Sequence, residues 1–274
     1  MVLYETILLT LSHDARIATV TMNRPEVHNA LNQRLLSELK AAFQELSKDE
    51  HLSAVILTGS GKSFSAGADV VMMQAAASYT LEQNQQEALQ LAETFESINF
   101  FPTPVIARVN GAAMGGGLGL LAVCDIAIAA ETARMAFSEV KLGIAPAVIS
   151  PFVIRKIGAS QARRLFVTGE RFNATLAQAI GLVHTVVPVE QLDTAIENTL
   201  QELLGGGPAA LRACKALARD VGELDAAAAR ALTTETIARL RVSPEGQEGL
   251  RAFLERRKPD WTPTEEVGQD LRHV

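Results

Sequence analysis

The sequence predicts an α/β fold followed by a helical carboxy-terminal region. Segments with the apolar period of strands alternate with helical segments through the first two thirds of the 274 residues, which is typical of parallel strand pairing. Strand patterns stop after about residue 188. We therefore divide the chain into an α/β core over residues 1–204 and an alanine-rich helical region over 205–274, whose helices can pack closely within or between subunits.

The first elements follow from the spacing of apolar residues. Alternating apolar residues over 18–22 predict a strand. Helical spacing over 31–46 predicts a helix, with Asn29 as its amino-terminal cap. Residues 54–57 predict a short buried strand, and a loop rich in glycine and serine follows over 59–69.

The later elements of the core continue this alternation. We predict helices over 72–90 and 89–98, a buried strand over 104–109, a short helix over 118–123 and a strand over 125–129. Helices that return the chain between strands favour parallel pairing. The chain then continues as helices over 189–204, 208–221, 226–240 and 244–257.

A turn with three consecutive glycines, at residues 115–117, joins the strand at 104–109 to the helix at 118–123. Glycine lets the backbone turn sharply and lets another molecule approach it closely. A helix that begins here directs unpaired N–H groups at the turn, which suits a phosphate, a carboxylate or a developing oxyanion. A tight turn without a ligand explains the same residues equally well.

A second turn of small residues, over 65–69, also follows a strand. One backbone N–H group from each turn, about 3 Å from the same oxygen, would form an oxyanion hole. Glu139 stands in an apolar stretch and could move protons beside that oxygen. Alternatively, Glu139 is a charge at a strand edge that pairs with Lys141.

Spacing argues against several common sites. The stretch at 61–63 lacks the first glycine of a phosphate-binding loop, because Ile56 stands there. The glycine turn matches two glycines of a dinucleotide fingerprint, but Leu120 occupies the third position. No two histidines lie three to five residues apart, so no metal site is expected.

Composition narrows the class of protein further. Two distant cysteines outside any Cys-x-x-Cys pair predict neither a disulfide nor a zinc site, and they fit a cytoplasmic protein. A net charge of -6 with scattered basic residues argues against nucleic acid as the main partner. No apolar run approaches the ~18 residues of a membrane span, and the first residues lack the pattern of a secretory signal.

Motifs distributed over nearly the whole chain resemble those of one superfamily. They are Asn-Arg-Pro at 23–25, Asn-Ala-Leu at 29–31, Phe-Ser-Ala-Gly-Ala-Asp at 64–69, the glycine turn at 110–117, Cys-Asp at 124–125, Phe-Ser-Glu at 137–139, Leu-Gly at 142–143, Gly-Leu-Val at 181–183 and the stretch at 249–259. In this order they resemble the enoyl-CoA hydratase/isomerase (crotonase) superfamily. The resemblance implies a crotonase-like spiral of ββα units, a helical trimerisation region, and homotrimers or dimers of trimers.

The resemblance also implies a substrate and a set of site residues. The substrate would be an acyl-CoA thioester, with no cofactor because coenzyme A is part of the substrate. The backbone N–H groups of Ala66 and Gly116 would donate to the oxyanion, and Glu139 would handle the proton. The residues implied at the coenzyme A moiety are Glu26, Val27, His28, Ser65, Ala66, Gly67, Ala68 and Asp69, with Phe253 and Arg256 at the nucleotide end from a neighbouring subunit.

Gly119 departs from typical hydratases, which the resemblance implies use two glutamates to hold and activate water. Here only Glu139 remains, and isomerases of the superfamily often keep a single acid. However, the stretch at 138–151, which includes Pro146, resembles bacterial methylglutaconyl-CoA hydratases, and these also have glycine at the first position. We therefore expect hydration of a branched or carboxylated 2-enoyl-CoA, with Gly119 and Pro146 beside the acyl group.

Two alternatives remain open from the sequence. An enoyl-CoA isomerase would use Glu139 as its sole acid and base, and a non-catalytic member would only bind acyl-CoA. The missing side chain at Gly119 either admits a branched acyl group or leaves an apolar, dry wall, and the resemblance favours the first. On that basis Gly119→Glu should crowd a branched substrate and spare a small one.

Overall fold

The computed structural model describes residues 3–12 and 14–263, which form two β-sheets surrounded by helices. The strands are β1 (Ile7–Leu11), β2 (Ile17–Met22), β3 (Ala54–Gly59), β4 (Ser63–Ser65), β5 (Val105–Val109), β6 (Ala112–Met114), β7 (Ile126–Ala130), β8 (Arg134–Ala136), β9 (Phe172–Asn173) and β10 (Thr185–Val187). The helices are α1 (Gln33–Leu46), α2 (Val70–Ala76), α3 (Leu81–Asn99), α4 (Gly116–Val123), α5 (Ser150–Thr168), α6 (Ala174–Ala179), α7 (Leu192–Gly205), α8 (Pro208–Asp220), α9 (Ala226–Val242) and α10 (Pro244–Glu255).

The larger sheet has six strands in the order β1-β2-β3-β5-β7-β10. β1 pairs antiparallel with β2, and the other neighbours are parallel. The smaller sheet has the order β4-β6-β8-β9, and it is parallel except where β9 meets β8. The predicted parallel pairing is therefore confirmed for most neighbouring strands.

The chain alternates between the two sheets, which produces the predicted spiral of ββα units. β3, β5 and β7 lie in the larger sheet, and each is followed directly by β4, β6 or β8 in the smaller one. Helices then return the chain, so successive units stack side by side. The turns that follow β4 and β6 become neighbours because these two strands pair with each other.

α1 joins the first two units, and its sequence explains its position. Leu35, Leu39 and Phe43 are spaced for one helical face and are almost completely buried. The side chain of Asn32 caps the helix by accepting the N–H of Leu35 at 2.8 Å. The prediction of Asn29 as the cap is wrong, because Asn29 lies in the preceding loop with a left-handed backbone, φ 55°.

α4 is apolar on every side and lies in the centre of the core. Leu118, Leu120 and Leu121 are fully buried, and the helix packs against α3, α5 and the smaller sheet. A helix without a polar face is stable only inside a protein. Its burial therefore fixes the position of its first residue, Gly116, relative to both sheets.

The last helices lie close to their predicted limits, and α7 covers the larger sheet. Leu192, Ile196 and Leu200 of α7 form an apolar cluster with Ile56 and Ile128 of the sheet. This packing agrees with a boundary near residue 204, although the division into two regions stays a prediction. Residues 264–274 of the predicted helical region lie outside the described part of the chain.

α8 is joined to the core by a buried lysine. Nζ of Lys215 lies 2.7 Å from Oδ2 of Asp125, and it also donates to the carbonyl of Thr103 at 3.0 Å. The side chain of Lys215 is only 7% exposed. Asp125 lies just after α4, and its carboxylate also accepts the N–H of Val105, the first residue of β5, at 2.7 Å. The helical region is thereby tied to the end of the central helix.

Candidate active site

The first turn of small residues, after β4, does not present the N–H group that the sequence predicted. The N–H of Ala66 donates to the carbonyl of His28 at 2.9 Å, so it is already satisfied within the chain. Ala66 is therefore unsuitable as an oxyanion donor, and that part of the prediction is wrong. The same hydrogen bond joins the turn to the loop that contains Glu26, Val27 and His28.

Ala68, two residues later, presents the free N–H group instead. Leu31 forms a parallel bridge across Ala68, because its N–H donates to Gly67 at 2.7 Å and its carbonyl accepts from Asp69 at 3.0 Å. Bridging of this kind directs the N–H of Ala68 to the opposite side of the chain. Ala68 is exposed, and its N–H finds no acceptor within residues 3–12 and 14–263.

The second turn, between β6 and α4, presents the N–H of Gly116. Gly115 has φ +47°, its own N–H donates to Ala136, and its carbonyl accepts from Leu118 at 2.9 Å. Gly116 is the first residue of α4, so its N–H lies at the positive end of the helix dipole without a described acceptor. A Cβ atom at Gly67 would lie 3.6 Å from N of Gly116, so the two turns are in contact.

Glu139 lies against the glycine turn at the start of a short 3-10 helix, Glu139–Leu142. A Cβ atom at Gly115 would lie 3.0 Å from Oε1 of Glu139, and the φ of +47° strains any other residue, so both features favour glycine there. Oε2 is buried, and no hydrogen-bond partner for it occurs among the described residues. Burial raises the pKa of the Glu139 carboxyl. The alternative of an ion pair with Lys141 is not supported, because the Lys141 side chain packs over Gly169.

Gly119 lies on α4 four residues after Gly115, and therefore about one helical turn from the Glu139 carboxylate. No open space remains where its side chain is missing. A Cβ atom at Gly119 would lie 2.3 Å from Cγ2 of Ile149 and 3.0 Å from Cζ of Phe95. The wall here is apolar and closed, so the expectation that Gly119 admits a branched acyl group is wrong. Gly119→Glu would collide with Ile149 rather than with a substrate.

The loop predicted to bind coenzyme A is exposed beside the first turn. Glu26, Val27 and His28 are all accessible, and Nδ1 of His28 lies 3.0 Å from Oγ of Ser63. His28 has a left-handed backbone, φ 55°, which ends the 3-10 turn Pro25–Val27 and places its carbonyl against Ala66. These positions agree with contact to a ligand, which stays a prediction.

Several other predicted contact residues face inward. Ser65 and Gly67 are buried, and Asp69 is 6% exposed and paired with Arg24 at 2.8 Å. Burial opposes ionisation of Asp69, but hydrogen bonds from Val71 and Arg24 lower its pKa. The side chains of Ser65 and Asp69 therefore support the turn, and contact of this stretch with coenzyme A stays a prediction.

The remaining predicted residues lie farther from the two turns in the sequence. Pro146 is buried in the segment before α5, in the stretch that leads to Ile149. Phe253 is 81% exposed on α10, and Arg256 is exposed at its end with φ 57°. Both side chains are exposed, and their predicted contact with a nucleotide bound to a neighbouring subunit stays a prediction.

The sequence interpretation missed Ala68 as a donor, together with Leu31, Ile149 and the supporting ion pair of Arg24. The signal for Ala68 is the bridge to Leu31, which is a contact between distant parts of the chain. Within the described ranges, no group of three histidine, cysteine or acidic residues is arranged to hold a metal ion. No helix in the same ranges is long and apolar enough to cross a membrane.

Comparison with known proteins gives consistent matches along the chain. The family model described as enoyl-CoA hydratase/isomerase matches residues 12–264. Crotonyl-CoA hydratase of Syntrophomonas wolfei is 36% identical over 94% of this chain and 98% of that protein. 2,3-Dehydroadipyl-CoA hydratase of Escherichia coli is 33% identical over 92% and 98%. The crystal structure of an enoyl-CoA hydratase from Shewanella pealeana superposes with a TM-score of 0.89 at 39% identity, covering 94% and 96%.

Proposed function

This chain belongs to the enoyl-CoA hydratase/isomerase family, and from that premise we propose that it adds water to the double bond of a 2-enoyl-CoA thioester. The observation that carries the proposal is the buried, unpaired carboxylate oxygen of Glu139 beside two turns with free N–H groups. The names of the relatives from S. wolfei and E. coli support hydration over other reactions of the family.

The two backbone donors act on the thioester oxygen. Hydrogen bonds from Ala68 and Gly116 withdraw electron density from the carbonyl, which makes C3 of the enoyl group electrophilic. As the oxygen of water bonds to C3, charge develops on the thioester oxygen, and donors held 2.7–3.1 Å away stabilise it, by about 3 kcal/mol for each. The positive end of the α4 dipole adds to this stabilisation.

Glu139 handles the proton in this scheme. Its carboxylate accepts a proton from the attacking water while the C3–O bond forms. The resulting carboxyl then donates a proton to C2 of the enolate, which restores the carboxylate and completes the addition of H and OH. A pKa raised by burial suits a group that must both accept and donate near neutral pH. Coenzyme A is part of the substrate, so the scheme uses no further cofactor.

We further propose a branched or carboxylated acyl group, of the 3-methylglutaconyl type. The likeness of residues 138–151 to methylglutaconyl-CoA hydratases supports this choice, as does the carboxylated substrate in the name of the E. coli relative. Because the wall at Gly119 is closed, any extra acyl volume must lie away from it. The segment that begins at Glu139 carries exposed apolar side chains at Val140, Leu142 and Ile144, and we propose that these contact the acyl chain.

A second candidate, enoyl-CoA isomerisation, is favoured by the same closed wall. Ile149 and Phe95 provide no polar atom to hold water one turn from Glu139. In a dry site Glu139 would take a proton from C2 of a 3-enoyl group and return it at C4, which moves the double bond to C2=C3, or the reverse, without adding water. The third candidate, a protein that only binds acyl-CoA, would leave the buried carboxylate without a use.

One experiment separates these candidates. The purified protein is incubated in ¹⁸O-water with 3-methylglutaconyl-CoA, crotonyl-CoA and a 3-enoyl-CoA, and the products are analysed by mass spectrometry. Incorporation of one labelled oxygen, faster for the glutaconyl thioester, is the expected result. A shifted double bond without label would replace hydration by isomerisation, and binding without turnover would leave only the binding protein.

We also propose that the chain forms a homotrimer or a dimer of trimers. Ile237, Val242, Leu250, Phe253 and Leu254 on α9 and α10 are between 46% and 81% exposed, which is unusual for the surface of a monomer. Covering them with a second copy would also bring Phe253 and Arg256 to a neighbouring site. Light scattering of the full chain should give a multiple of three, and a monomer at micromolar concentration would contradict the proposal.

A further inference from the structure

We propose that Ser65 is a positioning residue that holds the two oxyanion donors, Ala68 and Gly116, at a fixed separation. This inference rests on the proposed function, since it concerns the same two N–H groups. Ser65 ends β4 and has no exposed surface, so it does not touch a substrate. Its effect would pass through the backbone of both turns.

The hydroxyl of Ser65 connects the first turn to a neighbouring loop. Oγ donates to the carbonyl of Asn29 at 2.9 Å and accepts the N–H of Gly67 at 3.3 Å. Gly67 has φ +87° and directly precedes Ala68, so this bond bends the chain where the Ala68 N–H turns toward the cleft. The orientation of that donor therefore depends on one buried oxygen atom.

Asn29 is a rigid anchor for this hydroxyl. Its side chain is fully buried, accepts the N–H of Arg24 at 2.9 Å, and donates to the carbonyls of Ser60 at 2.9 Å and Ser63 at 2.8 Å. Buried amides whose donors and acceptors are all used resist displacement. The Asn29 carbonyl is consequently a fixed point to which Ser65 ties the turn.

Ser65 also supports the second turn directly. A Cβ atom at Gly117 would lie 2.8 Å from Cβ of Ser65 and 2.8 Å from its carbonyl oxygen. The backbone of α4 therefore packs directly on Ser65 at Gly117, which is the residue after the Gly116 donor. Because both turns contact the same residue, Ser65 sets the distance between their N–H groups.

This arrangement matters for catalysis because oxyanion stabilisation depends on geometry. The donors act only when both lie about 2.7–3.1 Å from the position of the oxyanion. Removing Oγ leaves the Asn29 carbonyl and the Gly67 N–H without their partner, and the turn then relaxes. A misplacement of about 1 Å can lower a rate a hundredfold.

Ser65→Ala tests the inference, with Thr58→Val as the matched control. Thr58 is 1% exposed in β3, and its hydroxyl donates to the carbonyl of Arg108 in β5 at 2.9 Å rather than to either turn. Each variant loses one buried hydroxyl. The measurements are kcat and KM with the best enoyl-CoA, and the absorbance of bound 4-(dimethylamino)cinnamoyl-CoA. This absorbance shifts to longer wavelength when the thioester carbonyl accepts hydrogen bonds.

We expect Ser65→Ala to lower kcat by about ten- to a hundredfold and to reduce the absorbance shift, while the affinity for coenzyme A changes less than about twofold. Thr58→Val should keep wild-type kcat and the full shift. Wild-type kcat and shift in Ser65→Ala would overturn the inference. If Ser65→Ala does not fold, Ser65→Cys, which keeps a side chain of similar shape but is a much weaker donor and acceptor, should give the same loss.

The two proposals fail in different ways. Wild-type protein that binds the chromophoric thioester but converts no enoyl-CoA would count against the proposed function. The absorbance shift would still test Ser65 in that case, because it requires binding and not turnover. A loss of shift in Ser65→Ala, with the shift kept in Thr58→Val, supports the positioning role independently of turnover.

Discussion

The contact between Gly119 and Ile149 leads to a quantitative prediction for Gly119→Ala. The new methyl group would lie 2.3 Å from Cγ2 of Ile149, whereas carbon atoms in ordinary contact are about 3.5–4.0 Å apart. Overpacking of this kind costs about 1–3 kcal/mol, and a β-branched side chain has few rotamers with which to move away. Alanine gains about 1 kcal/mol over glycine in helix propensity. Since 2.3 Å is far inside ordinary contact, the overpacking cost should lie in the upper part of its range, at about 2–3 kcal/mol. Less the gain of about 1 kcal/mol in helix propensity, we expect a net loss of about 1–2 kcal/mol in the free energy of unfolding.

A double-mutant cycle identifies the cause of this loss. Ile149→Ala alone should cost about 2–5 kcal/mol, because it leaves a cavity. Combined with Gly119→Ala, the added methyl group partly fills that cavity. The double variant should therefore be more stable than the sum of the single effects by about 1–2 kcal/mol.

The assay is urea denaturation at one matched protein concentration, since any association of subunits would contribute to apparent stability. Gly205→Ala is the control, because no atom lies within 4 Å of a Cβ atom at this last residue of α7. Its midpoint urea concentration should equal that of the wild type or be slightly higher. If Gly119→Ala has wild-type stability, or if the losses in the cycle are strictly additive, the close contact between Gly119 and Ile149 is refuted. Space for an acyl group beside Gly119 would then be available after all.

Other changes test the acid, the donors and a buried carboxylate. Glu139→Gln should lower turnover by about 10²–10⁴-fold. In the wild type, kcat/KM should rise as the Glu139 carboxyl ionises, at a pH above its ordinary pKa of 4.5 because burial raises that pKa, and this rise should be absent from the variant. Gly116→Pro removes one N–H, so loss of kcat by about 2.7–4 kcal/mol in barrier is expected, and normal activity of the folded variant would falsify the donor role. Burial opposes ionisation of Glu38, but hydrogen bonds from Thr6, Glu5 and Arg34 lower its pKa from 4.5 to about 2. The ionised carboxylate therefore contributes up to about 3 kcal/mol to the free energy of unfolding above pH 4.5, and this contribution should be lost as the pH falls toward 2. Acid titration of Glu38→Gln should lack this component, and an unchanged acid transition would contradict it.

The long elements were predictable because their sequence patterns are local. α1 and α8 carry apolar residues on one face, β2 alternates apolar residues with threonine, and β5 is a nearly continuous apolar run. The strands of the smaller sheet were not predicted as separate elements, because two or three residues are too few to reveal a period. The predicted helix over 72–90 is divided between α2 and α3, where Thr80 forms a capping box with Gln83.

The candidate site shows a similar limit. Glu139 could be singled out because a lone acid in an apolar stretch is visible in the sequence, and the family resemblance then implied its place beside the glycine turn. That Ala68 rather than Ala66 presents the free N–H group could not be predicted, because the direction of each N–H depends on the pairing with Leu31. The wall at Gly119 depends on Ile149, which arrives from a later unit of the spiral. Residues that face each other only after folding leave no mark on local spacing.

The ion pair between Lys215 and Asp125 has a consequence for the order in which the protein is completed during synthesis. Asp125 leaves the ribosome with α4, about 90 residues before Lys215 follows on α8. Until Lys215 is synthesised, the Asp125 carboxylate can accept the Val105 N–H but lacks the ammonium group of Lys215. A carboxylate without this cation is more stable in water than in the folded core. The central helix and its glycine turn should therefore reach their final packing late, when the last third of the chain is present. In a nascent chain stalled before Lys215, α4 should be accessible to protease. After the full chain is completed and released, α4 should be protected.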